Sequence, residues 1–142
     1  MRRDLNIKIL LASTLLLTSF SVADDTTEKL FDSKCATCHS KTRPTDMSKV
    51  VAPAIMGVMR HIKMSYPQKE KAVEFMVDYV MTPTKEKAIC MPNKIDRFGL
   101  MPSQKGLLTK DELTEISNWL YDNYPPEGFR GMGQGRGMGN RY

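Results

Sequence analysis

The sequence predicts an all-α fold of about four helices. Three observations support this: apolar residues recur at helical spacing in two long segments, no segment alternates apolar and polar residues as a half-buried strand would, and prolines close the helical segments. The chain has 142 residues, of which 41% are hydrophobic. This length fits a single domain with a core of its own.

The first 23 residues predict a signal peptide that is cleaved after Ala23. Two arginines precede an apolar stretch at residues 9–20, and the small residues Ser21–Ala23 stand where a signal peptidase cleaves. The apolar stretch is shorter than the roughly 20 residues of a transmembrane helix, so we expect no stable membrane span after cleavage, with an uncleaved anchor as the alternative. The protein is then expected in the bacterial periplasm.

The mature domain is predicted over residues 24–124, and its first helix over residues 24–37. Acidic residues lie near the start of this helix, where they favour the positive end of the helix dipole. Leu30 and Phe31 are its inward-facing apolar residues. A polar loop is predicted over residues 41–53.

Residues 68–81 predict an amphipathic helix that begins after Pro67 and is ended by Pro83. Its apolar stripe has the spacing i, i+3, i+4 and i+7 and comprises Ala72, Val73, Phe75, Met76, Tyr79 and Val80. Residues 92–102 are predicted as a loop.

The last helix is predicted over residues 108–124, with Thr109 as its N-cap and Glu112 at the capping-box position. Its inner stripe comprises Leu113, Ile116, Trp119 and Leu120. Residues 125–142 form a basic tail rich in Gly, Arg and Met, which we expect to be disordered because so many glycines cannot offset their ordering entropy. A docking arm for an acidic surface and a copper(I) site at Met132 and Met138 are the alternatives.

The most specific feature is the pentapeptide Cys35-Ala36-Thr37-Cys38-His39, which has the form of a c-type haem attachment site. Two cysteines at this spacing can each add to one vinyl group of a porphyrin. The histidine that follows then lies under the iron, where a neutral imidazole is the proximal ligand. The sequence therefore predicts one covalent haem c on Cys35 and Cys38, with its iron bound by His39.

Two other interpretations of these cysteines stay open. A thioredoxin-like dithiol belongs near a βαβ pattern, which the sequence lacks. A structural zinc ion needs four N/S ligands, and Cys35, Cys38, Cys90 and one histidine could supply them, although no second paired half-site exists. For Cys90 we expect burial as a small apolar residue; an intermolecular disulfide or a reactive thiol is the alternative.

Between about residues 26 and 123 the chain resembles the class I c-type cytochromes, which carry one haem. The resemblance rests on Phe31, on the Ile116, Trp119 and Leu120 stripe, and on the segments Ala52-Pro53-Ala54-Ile55 and Gly99-Leu100-Met101-Pro102. It implies helices packed around one covalently bound haem. It also implies that the Pro53 carbonyl accepts a hydrogen bond from the His39 imidazole and fixes its tautomer.

The same resemblance implies that Met101 is the sixth ligand of the iron. A thioether is a soft ligand that stabilises ferrous iron and raises the reduction potential. Met91, in a second Met-Pro pair, and His61 are the alternatives for this position.

The expected function is one-electron transfer between respiratory redox partners rather than catalysis, because no general base, nucleophile or open metal position is evident. The formal charge of +5 falls to +3 without Arg2, Arg3, Lys8 and Asp4, and it does not indicate nucleic-acid binding. Partners with an acidic face are expected, because basic residues flank the motif and the Met101 loop: Lys34, Lys41, Arg43, Lys49, Lys94, Arg97 and Lys105. The alternatives are a cytochrome subunit of a periplasmic oxidoreductase complex and a ligand-sensing haem protein.

Overall fold

The computed structural model describes residues 19–89 and 91–129. Within these ranges the chain forms five α-helices and no β-strand: α1 (Ser19–Lys34), α2 (Ile55–Ser65), α3 (Lys69–Met81), α4 (Pro92–Phe98) and α5 (Lys110–Asn123). A short 3-10 helix, Met47–Lys49, lies in the loop after α1. The prediction of an all-α chain is confirmed for the described residues. The predictions for residues 1–18, Cys90 and residues 130–142 lie outside them.

The core lies where α5 packs against α1 and α3. Phe31 of α1 is 1% exposed, and its ring centroid lies 5.6 Å from that of Trp119 on α5. The remaining buried apolar residues come from α2, α3, α5 and the loop before α5: Ile55, Met59, Ile62, Ala72, Met76, Leu108, Leu113, Ile116 and Leu120. The two terminal helices therefore share one core.

Helices α3 and α5 follow the sequence closely. Gln68 is the N-cap of α3, which ends at Met81, just before Pro83. Thr109 caps α5 through a complete capping box: its hydroxyl accepts from the Glu112 N–H at 3.1 Å, and the Glu112 carboxylate accepts from the Thr109 N–H at 2.8 Å. Both helices are set by local signals that the sequence displays directly.

The prediction of a loop over residues 92–102 is wrong for its first part, because residues 92–98 form α4. Pro92 stands at the start of this helix, where the N–H that proline lacks would be unpaired in any case. Gly99 ends it with a φ of 73°, a conformation that side chains other than glycine rarely adopt. Pro92, predicted from the sequence to lie in a loop, is thus the first residue of α4.

Helix α2 was not predicted, although its sequence carries a helical pattern. Ile55, Met59 and Ile62 are buried and follow each other at i, i+4 and i+7. No side-chain cap marks its start at Ala54, and its lone glycine weakens the propensity of the segment. Tertiary packing of the apolar face is what supports this helix.

Helix α1 differs from the predicted helix at both ends. It begins at Ser19, before the predicted cleavage point after Ala23, and it ends at Lys34 instead of Thr37. The Cys35 N–H still makes the regular helical bond to the Phe31 carbonyl, at 2.8 Å, but the Ala36 N–H donates to the same carbonyl, five residues back, at 3.1 Å, and the i→i−4 ladder ends there. The cysteine motif therefore lies on the turn that follows α1, not within it.

Replacing Thr109 with alanine is expected to lower the free energy of unfolding by about 1 kcal/mol, because the N–H of Glu112 loses its acceptor. Urea denaturation followed by far-UV circular dichroism measures the change. Thr114→Ala is the control, because its hydroxyl donates to the Lys110 carbonyl within the helix and caps no N–H group. An effect of Thr114→Ala as large as that of Thr109→Ala would contradict this prediction.

The same capping box predicts a pH dependence. The hydrogen bond from the Thr109 N–H is the main cause that holds the pKa of Glu112 below its usual value. A carboxylate with a lowered folded-state pKa stabilises the fold above its unfolded pKa, and this stabilisation is lost as the pH falls through the folded pKa. We therefore expect the stability advantage of wild type over Glu112→Gln at neutral pH to disappear on acidification. An advantage that is unchanged in acid would contradict the prediction.

Candidate functional site

The cysteine motif forms a single tight turn at the end of α1. The Cys38 and His39 N–H groups both donate to the Cys35 carbonyl, at 3.1 and 2.9 Å. Cys35 is half-buried and Cys38 is exposed. The turn therefore brings Cys35, Cys38 and His39 together at the C-terminal end of α1, close to the buried Phe31.

Both thiols of the turn are free of disulfides. Burial, followed by the neighbouring Cys38, raises the pKa of the Cys35 thiol to about 11. A thiol with this pKa is protonated at neutral pH, whereas the attacking cysteine of a thioredoxin-like dithiol has a lowered pKa. The direction of this pKa shift therefore does not favour the dithiol interpretation.

His39 is held by one specific contact. Its Nδ1 lies 2.8 Å from the carbonyl oxygen of Pro53, and a carbonyl can only accept, so Nδ1 carries the proton. Burial lowers the pKa of His39 below its usual value, and the hydrogen bond to Pro53 opposes this shift in part. The result is a neutral imidazole whose Nε2 has a free lone pair, which is the form that binds a metal ion.

A second backbone contact brings the Pro53 segment to the turn. The Ile55 N–H at the start of α2 donates to the Ser40 carbonyl at 3.0 Å. Ser40 directly follows His39, and Ile55 is itself buried in the core. The position of the Pro53 carbonyl is thus tied both to the motif and to the packing of α2.

The loop that carries Met101 runs from the end of α4 towards α5. It is tied to the end of α3, because Ser103 Oγ donates to the Met81 carbonyl and the Gln104 N–H donates to the Val80 carbonyl at 3.0 Å. Met101 is half-buried in this loop. No hydrogen bond, ion pair or ring contact joins it to the cysteine turn in the described part of the chain, so its role as a ligand stays a prediction.

The two alternatives to Met101 lie in different surroundings. Met91 is the N-cap of α4 and is 47% exposed. His61 is half-buried on α2, in the turn between the buried residues Met59 and Ile62. Of the three side chains, Met101 combines partial burial with a place in a loop rather than in a helix.

The donors at the turn suit a haem on its proximal side. Two unpaired thiols, a neutral imidazole and a carbonyl that orients it are the groups that covalent attachment and axial ligation need.

Among residues 19–89 and 91–129, no group of three or more His, Cys, Asp or Glu side chains could hold a metal ion. Two surface grooves, of about 1040 and 470 Å³, are lined by other residues than Cys35, Cys38, His39 and Met101.

Several of the basic residues expected around a docking face are engaged with neighbours. Lys49 pairs with Asp46 at 3.5 Å, and Arg97 donates to the Met47 carbonyl at 3.0 Å. Lys41 contacts Glu28 and Asp32, which raise its pKa, Asp32 contributing most. From the sequence, Lys41 was expected among the basic residues of the docking face, with no partner of its own. The spacing of Glu28 and Asp32, one helical turn apart, was the signal that they could share a partner.

No helix within the described residues is long and apolar enough to cross a membrane.

Comparison with known proteins finds a relative of similar length but no matching family. An uncharacterized protein of Aquifex aeolicus (strain VF5) is 28% identical over 133 residues, which cover 82% of this chain and 88% of that protein. No protein-family profile and no solved structure matches the sequence. The chain is thus similar over most of its length to a protein of comparable extent.

Proposed function

We propose that this protein is an exported one-electron carrier with one covalently attached c-type haem, bound through Cys35 and Cys38 and ligated by His39 and Met101. The resemblance to class I c-type cytochromes supplies the fold and the two ligands of this proposal. The observation that carries it is the 2.8 Å contact between His39 Nδ1 and the Pro53 carbonyl, on the turn that also presents both free thiols.

This contact supports the proposal because it has the features expected next to a metal. A ligating histidine usually donates its other ring N–H to a carbonyl or carboxylate, which fixes the tautomer and the direction of the ring. His39 has this arrangement with Nδ1 engaged and Nε2 left for iron. A purely structural role for His39 would not account for the two free cysteines on the same turn.

Each residue then has a distinct part. The thiols of Cys35 and Cys38 would hold the haem covalently, each as a thioether formed by adding S–H to one vinyl group. His39 Nε2 and the Met101 sulfur would bind its iron, and the soft thioether would favour the reduced state. When bound, the haem would supply one-electron exchange between ferric and ferrous iron. Because the protein would provide both of these ligands, no iron position would be left for a substrate.

The visible spectrum of the oxidised protein tests the ligand set. In wild type co-expressed with haem-attachment machinery, we expect the far-red sulfur-to-iron charge-transfer band of methionine ligation. Met101→Ala is expected to lose this band, whereas Met91→Ala is expected to keep it. Met91 is the matched control, because it is also followed by proline and is more exposed.

Two results would contradict the proposed ligand set. A band that persists in Met101→Ala and disappears in Met91→Ala would assign the sixth position to Met91. The absence of the band in wild type, with carbon monoxide binding to the reduced protein, would favour a ligand-sensing haem over an electron carrier.

A further inference from the structure

Lys41 makes a two-armed contact with α1. Its Nζ lies 2.7 Å from Glu28 Oε1 and 2.8 Å from Asp32 Oδ1. The two carboxylates stand one helical turn apart on α1, and Lys41 follows His39 by two residues. The chain thus leaves α1 at Lys34, makes the cysteine turn, and is joined again to α1 by this lysine. We call these three residues the Lys41 clasp.

The clasp is more protected than a typical surface ion pair. The Lys41 side chain is 26% exposed, whereas the exposures of Lys71 and Glu74, which pair on α3, are 66% and 70%. Lys41 also lines a 470 Å³ groove together with Trp119 and Tyr124, beside the contact between α1 and α5. A partly buried pair with two acceptors restrains its residues better than an isolated exposed pair, which is usually worth little.

The clasp completes the restraints on the backbone of His39. On one side, the His39 N–H donates to the Cys35 carbonyl at 2.9 Å. On the other side, the Ser40 carbonyl accepts from the Ile55 N–H at 3.0 Å, and Lys41 is anchored to α1. The imidazole is itself bound at Nδ1. Release of Lys41 would remove the ion pairs that join the segment after Ser40 to α1.

We propose that Lys41 is a positioning residue that sets the orientation of the His39 ring toward the iron. This inference rests on the proposed function, since it concerns the ligand of the same haem. The clasp acts on the backbone after His39, and the Pro53 carbonyl acts on the ring. The orientation of an axial imidazole depends on such surrounding contacts as well as on the metal bond.

Proton NMR of the oxidised holoprotein tests the inference, because the shifts of the haem methyl resonances depend on the angle of the imidazole plane. Lys41→Met keeps the aliphatic stem and removes the charge, and we expect it to change the pattern of these shifts. Lys41→Arg retains both arms and is expected to restore the wild-type pattern. Lys71→Met is the control, because it removes the same charge from an ion pair on α3 that is remote in sequence from the motif.

Two further variants keep the test decisive. Lys41→Met leaves two carboxylates one turn apart, so the triple variant with Glu28→Gln and Asp32→Asn removes their repulsion. If loss of the clasp is the cause, the triple variant shows the same altered shifts; wild-type shifts in it would overturn the inference. If Lys41→Met does not fold, Asp32→Asn removes one arm and is expected to shift the resonances in part.

The NMR experiment distinguishes a failure of the role of the clasp from a failure of the proposed function on which it rests. Wild-type protein without covalent haem would overturn the proposed function, and the inference with it. Wild-type protein with haem and unchanged haem methyl shifts in Lys41→Met would overturn the role of the clasp alone.

Discussion

The double variant Cys35→Ser/Cys38→Ser is expected to carry no covalently attached haem. Wild-type protein made with haem-attachment machinery should keep its haem after denaturation and precipitation, and its intact mass should exceed that of the polypeptide by one haem. Serine hydroxyls do not add to vinyl groups under these conditions, so both signals should vanish in the double variant. Each single variant retains one thiol and is expected to show less attached haem than wild type.

Cys90→Ser is the matched control for this experiment. It removes a cysteine outside the motif, and the haem interpretation expects it to retain full attachment. The zinc interpretation instead expects Cys90→Ser to lose bound zinc, because Cys90 would be one of the four ligands of a tetrahedral site. Elemental analysis measures the zinc content of purified wild type and of Cys90→Ser. Stoichiometric zinc that disappears in Cys90→Ser, in a protein without haem, would replace the proposed function.

Phe31→Ala is expected to be the most damaging single core substitution. Phe31 is 1% exposed and packs on Trp119, so its loss removes a large apolar side chain and leaves a cavity between α1 and α5. Such truncations cost about 3–5 kcal/mol, which approaches the total stability of a small domain at about 5–15 kcal/mol. Thermal or urea unfolding followed by circular dichroism measures the loss.

Two further variants serve as comparisons for Phe31→Ala. Phe98→Ala truncates a half-buried phenylalanine at the end of α4, where Arg97 covers the ring, and we expect a much smaller loss. Phe31→Leu retains most of the apolar volume and is expected to fall between wild type and Phe31→Ala. Equal stability of Phe31→Ala and Phe98→Ala would show that the α1–α5 contact is not the centre of the core.

The Phe31 result also bears on the proposed haem attachment, because the cysteine turn is hydrogen-bonded to the residue that this core holds in place. Cys35 and Ala36 both donate to the Phe31 carbonyl. If the core loosens, the turn loses its support from α1. We therefore expect Phe31→Ala to lower attachment of haem as well as stability, an effect that Phe98→Ala should not share.

Local sequence patterns determined the features whose interacting groups lie within a few residues of one another. The Cys35–His39 spacing, the Thr109–Glu112 capping box and the apolar stripe of α3 are such features, because spacing alone brings their groups together. The prediction of a loop where α4 begins was wrong for a related reason. A proline is compatible with the first helical position as well as with a loop, and only the context decides between them.

What tertiary structure decided is which distant groups meet. The Pro53 carbonyl lies 14 residues from His39, and Lys41 reaches two acids on a helix that precedes it. The resemblance to class I c-type cytochromes pointed to the Pro53 contact. The helical spacing of Glu28 and Asp32 indicated that they could share a partner, but it did not identify Lys41 as that partner. Such contacts depend on how the loops return to α1 after α2 has packed into the core. That packing is a property of the whole chain, which no short segment of the sequence contains.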